Sequence, residues 1–167
     1  MPRLVVMRHA KAEPWAASDH ARRLTARGTA DAEAAGRWLA DFGFTPEVAL
    51  VSGAARTRDT WSAAAEAAGW DLPGTFDEGL YSADPDTVLD LIRALDEHAS
   101  TAMLIGHNPT MAALAQLLDD GTGERPATEL LLRGFPTAAL AVFELPDSWQ
   151  DVAYGECLLR AAHVGRG

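Results

Sequence analysis

The chain has a single cysteine, Cys157, among 167 residues. No intrachain disulfide can form, and a cysteine-based metal or redox centre would lack partners. Because Cys157 sits in an apolar run, a buried thiol in a reducing compartment is expected. Long hydrophobic runs are also missing. No uninterrupted apolar segment approaches the roughly 20 residues of a membrane span, and the opening MPRLVV lacks a charged leader and small-residue cleavage site. The expectation is a cytoplasmic protein with no membrane contact. Positive charge is scarce: 14 Lys and Arg stand against 24 Asp and Glu, for a formal net charge of −10. Nucleic-acid binding needs a basic footprint and is disfavoured on that ground.

What is present suits one globular domain, residues 1–167, with 48% hydrophobic content to fill a core. The charge is unevenly spread. Residues 1–58 hold 9 basic and 6 acidic side chains, and the remainder holds 5 and 18. Arg8, Lys11, Arg22, Arg23, Arg56 and Arg58 could therefore form a local anion site on an acidic body; the alternative is a chance asymmetry of solvated faces.

The patterning alternates strand and helix. Leu4 to Met7 reads as a strand buried on both faces, stopping on Arg8 and His9. After a polar loop from Pro14 to Leu24, Thr25 N-caps a helix running to about Phe42, with Gly43 as its stop. Val48–Gly53 is a second buried strand. The next helix carries Arg56 and Thr57 in its first turn and repeats Trp61, Ala64, Ala65 and Ala68 on one face. Thr75–Leu80 reads as a short third strand broken by Asp-Glu-Gly, and Val88, Leu91, Ile92 and Leu95 mark a helix after the turn Asp84-Pro85-Asp86. Thr101–Gly106 is another buried strand, ending on His107-Asn108-Pro109 and feeding a helix through Met111, Leu114 and Leu118. Ala127–Leu132 adds a helical turn; Ala138–Leu145 and Gly155–Ala162 close the chain as strands. This order predicts an α/β fold, a three-layer α/β/α sandwich around a mainly parallel sheet.

Three strand-to-helix junctions carry similar equipment: Arg8-His9, Ser52 with Arg56, and His107-Asn108. Parallel strands bring their carboxyl ends to one edge, so two arginines and two histidines can converge on one cleft. Taken alone, Arg8 could equally cap the sheet edge and His9 be an ordinary loop histidine. Three such junctions together are hard to explain as capping.

Arg8-His9-Ala10, the run from Ser52 to Thr60 (SGAARTRDT) and Gly106-His107-Asn108-Pro109 resemble, in order and spacing, the motifs of the histidine phosphatase superfamily, with its phosphoglycerate mutase-like fold. The chain's length and the segment SDHARRLT, residues 18–25, followed by Gly28, are most similar to the SixA-type phosphohistidine phosphatases. The resemblance implies His9 as nucleophile, Arg8 and Arg56 as phosphoryl clamps, and His107 as a further donor, cationic when protonated. Neutral imidazole is a competent nucleophile near neutral pH. Arg22, Ser52 and Asn108 become candidate substrate contacts; for Arg22 a surface pairing with Asp19 is equally open. Glu78 matches in position the proton-donating acid of the mutase branch, although a solvated turn glutamate is the competing reading. A phosphoramidate substrate needs an acid less, because imidazole leaves more readily than an alkoxide. Ala10 and Gly53 depart from the family's Gly and Pro.

The implied activity is hydrolysis of phosphohistidine on a protein partner, without cofactor or metal, since no Asp or Glu accompanies either candidate histidine at ligand spacing. Two readings compete with it: a small-molecule phosphomonoester phosphatase or mutase, and a non-catalytic phosphoprotein-binding module. The partner's identity and the oligomeric state are not written in the sequence.

Overall fold

The computed structural model describes all residues, 1–167. Its strands are β1 (Arg3–Arg8), β2 (Val48–Ser52), β3 (Thr75–Asp77), β4 (Thr101–Gly106), β5 (Ala139–Glu144) and β6 (Leu158–Val164). They form one sheet in the order β3-β2-β4-β1-β5-β6. The pairings among β1, β2, β3 and β4 are parallel, and β5 runs antiparallel to both its neighbours.

Alternation along each strand divides the core in two. On one face Val5, Met7, Val51, Met103 and Ile105 meet Ala32, Ala35 and Leu39 of α1 (Ala26–Asp41) and Trp61 and Ala65 of α2 (Ala55–Ala68). On the other, Leu4, Val6, Leu104 and Phe143 meet α3 (Pro85–Arg93), α4 (Thr110–Leu118) and α5 (Arg125–Leu132) through Val88, Ile92, Leu114 and Leu131. The predicted three layers are present. Thr25 caps α1, its hydroxyl accepting from the Gly28 amide at 2.9 Å, and Gly43 at φ +86° turns the chain out of it. Gly36 lets α1 approach α2 closely: a Cβ there would stand 2.2 Å from the Ala64 carbonyl oxygen.

Element boundaries differ from the sequence reading at several places: Leu95, for one, falls beyond the end of α3 at Arg93. The third strand stops at Asp77, whose carboxylate accepts from the Gly79 amide at 2.7 Å and winds Glu78–Leu80 into a single 3₁₀ turn. The turn expected at Ala127 is the eight-residue helix α5, with Pro126 in its first turn. The last strand begins at Leu158 because Gly155, at φ +73°, is still turning and Cys157 bridges to Asp119 instead. Cys157 is fully buried, and that burial pushes its thiol pKa up to about 12. No helix is long and apolar enough to cross a membrane.

Register builds the functional edge. Arg8 lies opposite Gly106, Val51 opposite Ile105, and Ser52 opposite Asp77. His9, Ser52 and His107 therefore leave the sheet at one level, and Glu78 follows beside Ser52. The His9 amide extends the ladder by donating to the Gly106 carbonyl at 3.0 Å.

Candidate active site

His9 is buried, 7% exposed, and its Nδ1 lies 2.7 Å from the Ala10 carbonyl oxygen. A carbonyl only accepts, so Nδ1 carries the proton and Nε2 keeps its lone pair. The turn that holds the ring is itself fixed. The Ala10 amide donates to Thr60 Oγ at 3.0 Å, and that hydroxyl donates to the Arg56 carbonyl at 2.7 Å, linking the first junction to α2. Ala10 is fully buried and keeps a negative φ, Ala138 being the one non-glycine residue with positive φ, so glycine is not required there.

Arg56 is 7% exposed and reaches across the cleft to the Asp19 loop. Its Nη1 donates to the Asp19 carbonyl at 2.8 Å and its Nη2 to the Asp19 carboxylate at 3.1 Å. Arg22 Nη1 approaches the same carboxylate at 3.4 Å, and the Tyr81 hydroxyl donates to it. The Tyr81 bond, with Arg56 next, holds the Asp19 carboxyl below its usual range, and the same bond raises the Tyr81 phenol. Arg22 thus makes the pairing with Asp19 that the sequence left open, and its charge reaches His9.

The rings of His107 and His9 lie 5.3 Å apart, tilted by 56°. His107 Nε2 sits 2.8 Å from Ser52 Oγ, and Tyr81 packs edge-on against the ring at 5.5 Å. Burial dominates both imidazoles. It lowers the His9 pKa to about 4, with Arg56, Arg8 and Arg22 adding to the effect against the Ala10 bond, and it lowers His107 to about 3, helped by Arg56 and His9. Burial thus favours the neutral form of His107, the donor expected to be cationic only when protonated. Burial also lowers the Arg8 pKa.

Four buried side-chain nitrogens have no hydrogen-bond partner: Arg8 Nε, Arg22 Nε, Arg56 Nε and His107 Nδ1. Each unmade bond costs about 1–3 kcal/mol, so their collection around one histidine calls for an explanation. A bound oxyanion, held by forked guanidinium donors, would satisfy them.

Other candidates sit differently from the expectation. The Ser52 hydroxyl is fully buried and spent on His107, so it offers nothing to a substrate. Asn108 is engaged at both ends: its Nδ2 donates to the Phe135 carbonyl at 2.7 Å and its Oδ1 accepts from the Ala112 amide at 3.2 Å. It ties α4 to the loop before β5, where Arg8 Nη1 also reaches the Phe135 carbonyl at 3.3 Å. Glu78 stands on the rim, its side chain 64% exposed, paired with His20 Nε2 at 2.9 Å and lying directly over Gly53. Arg58 is exposed and stacks over Phe76, and Lys11 is exposed. His98 pairs with Asp96 and His163 stacks on Trp38, both away from the cleft. A groove of about 380 Å³ leads off from His107 past Tyr81, Asp84 and Pro109. No group of three His, Cys, Asp or Glu side chains is arranged to hold a metal.

Sequence reasoning missed Asp19 as the partner of Arg56, and missed Tyr81 and His20 as rim residues. Asp19 and His20 adjoin Arg22 in one polar loop, which was a usable signal. Tyr81 had none.

Comparison with known proteins gives the same picture. The family profile described as "Histidine phosphatase superfamily (branch 1)" matches residues 4–87. The uncharacterised protein ML1117 of Mycobacterium leprae is 35% identical over 165 residues, covering 96% of this chain and all of that protein. A Nakamurella multipartitia structure provisionally assigned as the phosphohistidine phosphatase SixA superposes with a TM-score of 0.86 at 32% identity, over 98% of this chain and 96% of that one. The protein histidine phosphatase SixA complexed with tungstate gives 0.77 at 26% identity, over 97% and 96%. By profile, fold and the similarity of its whole length to SixA structures, the chain belongs to the histidine phosphatase superfamily, branch 1, and is SixA-like.

Proposed function

We propose that the protein removes the phosphoryl group from phosphohistidine on a partner protein, through a phosphoenzyme formed on His9. The observation that carries this reading is the ring of unpartnered buried donors on Arg8, Arg22, Arg56 and His107 around a neutral histidine whose Nε2 is free. His9 Nε2 attacks phosphorus; the phosphorus–nitrogen bond of the substrate breaks and its electron pair leaves with the imidazole, which takes a proton from water. Water then attacks the phospho-His9 phosphorus, giving inorganic phosphate and restoring His9. The arginines stabilise charge on the non-bridging oxygens, which is most of what phosphoryl transfer requires. Tungstate bound to the SixA relative is consistent with such an oxyanion site.

The leaving group is the discriminating feature. An alkoxide needs a proton donor. Asp19 is held ionised between two arginines and Tyr81, and Glu78 is paired with His20 on the rim, so neither carboxyl stands as a free acid over His9. That favours phosphoramidates. The second reading, a small-molecule phosphatase, draws on the groove beside His107, which has room for a compact leaving group.

The test compares kcat/KM for a phosphohistidine protein with that for sugar and glycerate phosphates. Preference for the phosphohistidine protein is expected, with an acid-labile phosphoenzyme trapped in the wild type, activity reduced to background in His9→Ala, and no loss on chelation. Faster turnover of the small esters would favour the second reading. Full activity in His9→Ala would overturn the mechanism, and phosphate binding without turnover would make the protein a binding module.

A further inference from the structure

The Ser52–His107 contact decides which nitrogen of His107 carries the proton. Ser52 Oγ is fully buried, at the carboxyl end of β2, and His107 Nε2 at 2.8 Å is its one side-chain or backbone partner. Two arrangements are possible. If Nε2–H donated to the serine, the buried hydroxyl proton would have no acceptor, and Nδ1 would be a buried bare lone pair beside the charges of Arg56 and Arg8. If the serine donates to Nε2, its proton is satisfied and Nδ1 becomes an N–H donor. The second arrangement leaves one unmade bond and the first leaves two.

The other unpartnered buried nitrogens, Arg8 Nε, Arg22 Nε and Arg56 Nε, are all N–H donors. A lone pair set among them would repel the oxyanion that the arginines attract; a fourth N–H would complete the set. Nothing beyond Ser52 competes for the ring: His107 makes no other side-chain hydrogen bond, and its Tyr81 neighbour meets it edge-on with the hydroxyl committed to Asp19.

We infer that Ser52 is a positioning residue that locks neutral His107 as its Nδ1–H tautomer, aiming a neutral hydrogen-bond donor at the phosphoryl oxygens. The tautomer follows from the hydrogen bonding alone, and its use on a phosphoryl group rests on the phosphatase reading above. Ser52 thus acts through His107 without touching substrate, and His107 contributes a directed N–H in place of a positive charge. The same logic applies at His9 with the opposite partner: a carbonyl acceptor at Nδ1 bares Nε2, whereas a hydroxyl donor at Nε2 protonates Nδ1.

Long-range ¹H–¹⁵N NMR of the substrate-free protein at pH 7, with His107 assigned by its disappearance in His107→Gln, reads the tautomer directly. The expected result is a pyrrole-type Nδ1 and a pyridine-type Nε2 in the wild type. Ser52→Ala should shift both nitrogens toward exchange-averaged values and lower kcat by roughly two- to tenfold, in proportion to the Nδ1–H fraction lost, while KM changes much less. Ser52→Cys, which keeps a weak donor at nearly the same volume, should restore part of the kcat and of the Nδ1–H signature, and it preserves the test if the alanine variant does not fold. A pyrrole-type Nε2 in the wild type would overturn the inference. So would Ser52→Ala with an unchanged tautomer and an unchanged kcat. A wild type with the expected tautomer and no turnover of any phosphorylated substrate would overturn the phosphatase reading and leave the tautomer assignment standing.

Discussion

Folding this chain buries two imidazoles that stay neutral, and that sets a measurable dependence of stability on pH. His9 and His107 have folded pKa values of about 4 and about 3. In the unfolded chain an imidazole titrates near 6.5. Between those limits the unfolded state binds more protons, so stability rises with pH across the window and falls as the solution is acidified below about 6.5. At pH 5.5 an unfolded histidine is about nine-tenths protonated while each of these remains almost wholly neutral. The linkage integral from pH 7.5 to 5.5 is then about 1.4 kcal/mol for each, or about 3 kcal/mol for the pair. This figure is insensitive to the folded values themselves, provided both lie below about pH 5.

Urea unfolding at pH 7.5 and 5.5, in the wild type and in His9→Asn/His107→Asn, isolates the term. His163 is also lowered by burial and contributes in the same direction, but it is present in both proteins and cancels. Carboxylates cancel similarly. Asp19 is lowered, so its contribution is complete above the unfolded aspartate value and is lost only as pH falls through its folded pKa, beneath this window. The wild type should lose about 3 kcal/mol more than the double variant between the two pH values. Equal losses in the two proteins would refute the reasoning. An imidazole resonance of either histidine inflecting near pH 6.5 in the folded protein would do the same.

Two glycines differ in how much the same substitution should cost. Gly36→Ala drives a Cβ to 2.2 Å from backbone at Ala64, so despite the helix-propensity gain of about 1 kcal/mol it should destabilise by roughly 1–3 kcal/mol in urea unfolding. A Cβ in Gly53→Ala would come nearest to the end of the Glu78 side chain, which can swing away, and the change should cost less than about 1 kcal/mol; a larger loss would place Glu78 in a structural role. Arg22→Ala should weaken tungstate or phosphate binding by about tenfold to a hundredfold in calorimetry, a charged hydrogen bond's worth, while Lys11→Ala leaves it unchanged. Equal effects of the two would show that Arg22 serves general charge and not a directed bond.

Much of this site was legible because it is built on register. Apolar runs ending on Arg8, Ser52 and Gly106 read as parallel strands, and parallel strands of matched length must present their succeeding residues at one edge. The histidines and Arg56 could be placed from that alone. The side-chain bonds could not. Ser52 and Asn108 are polar residues at the expected edge, and sequence offers no way to see that a hydroxyl is consumed by His107 or an amide by Phe135 and Ala112. Asp19 and Tyr81 are 62 residues apart, brought together by the loop before α1 and the 3₁₀ turn after β3. No periodicity encodes that meeting. The third strand was read too long for a local reason: Asp77 satisfies the Gly79 amide with its own side chain and so ends the extended backbone.

Burial connects the chemistry of the two histidines to that of the arginines. The packing that removes water from His9 and His107 lowers their pKa values and keeps them neutral, one able to attack and one able to donate. The same packing leaves Arg8, Arg22 and Arg56 each with a buried Nε–H that no protein group satisfies. Opening the cleft to water would relieve the arginines but return both imidazoles toward ordinary titration; filling it with carboxylates would pair the arginines but repel a phosphoryl group. Asp19 is a compromise between those limits. It engages the Nη edge of Arg56 from the exposed side and leaves the Nε of the same guanidinium unpaired within. One edge of Arg56 is thereby oriented by the protein, while the Nε on its other edge keeps no protein partner.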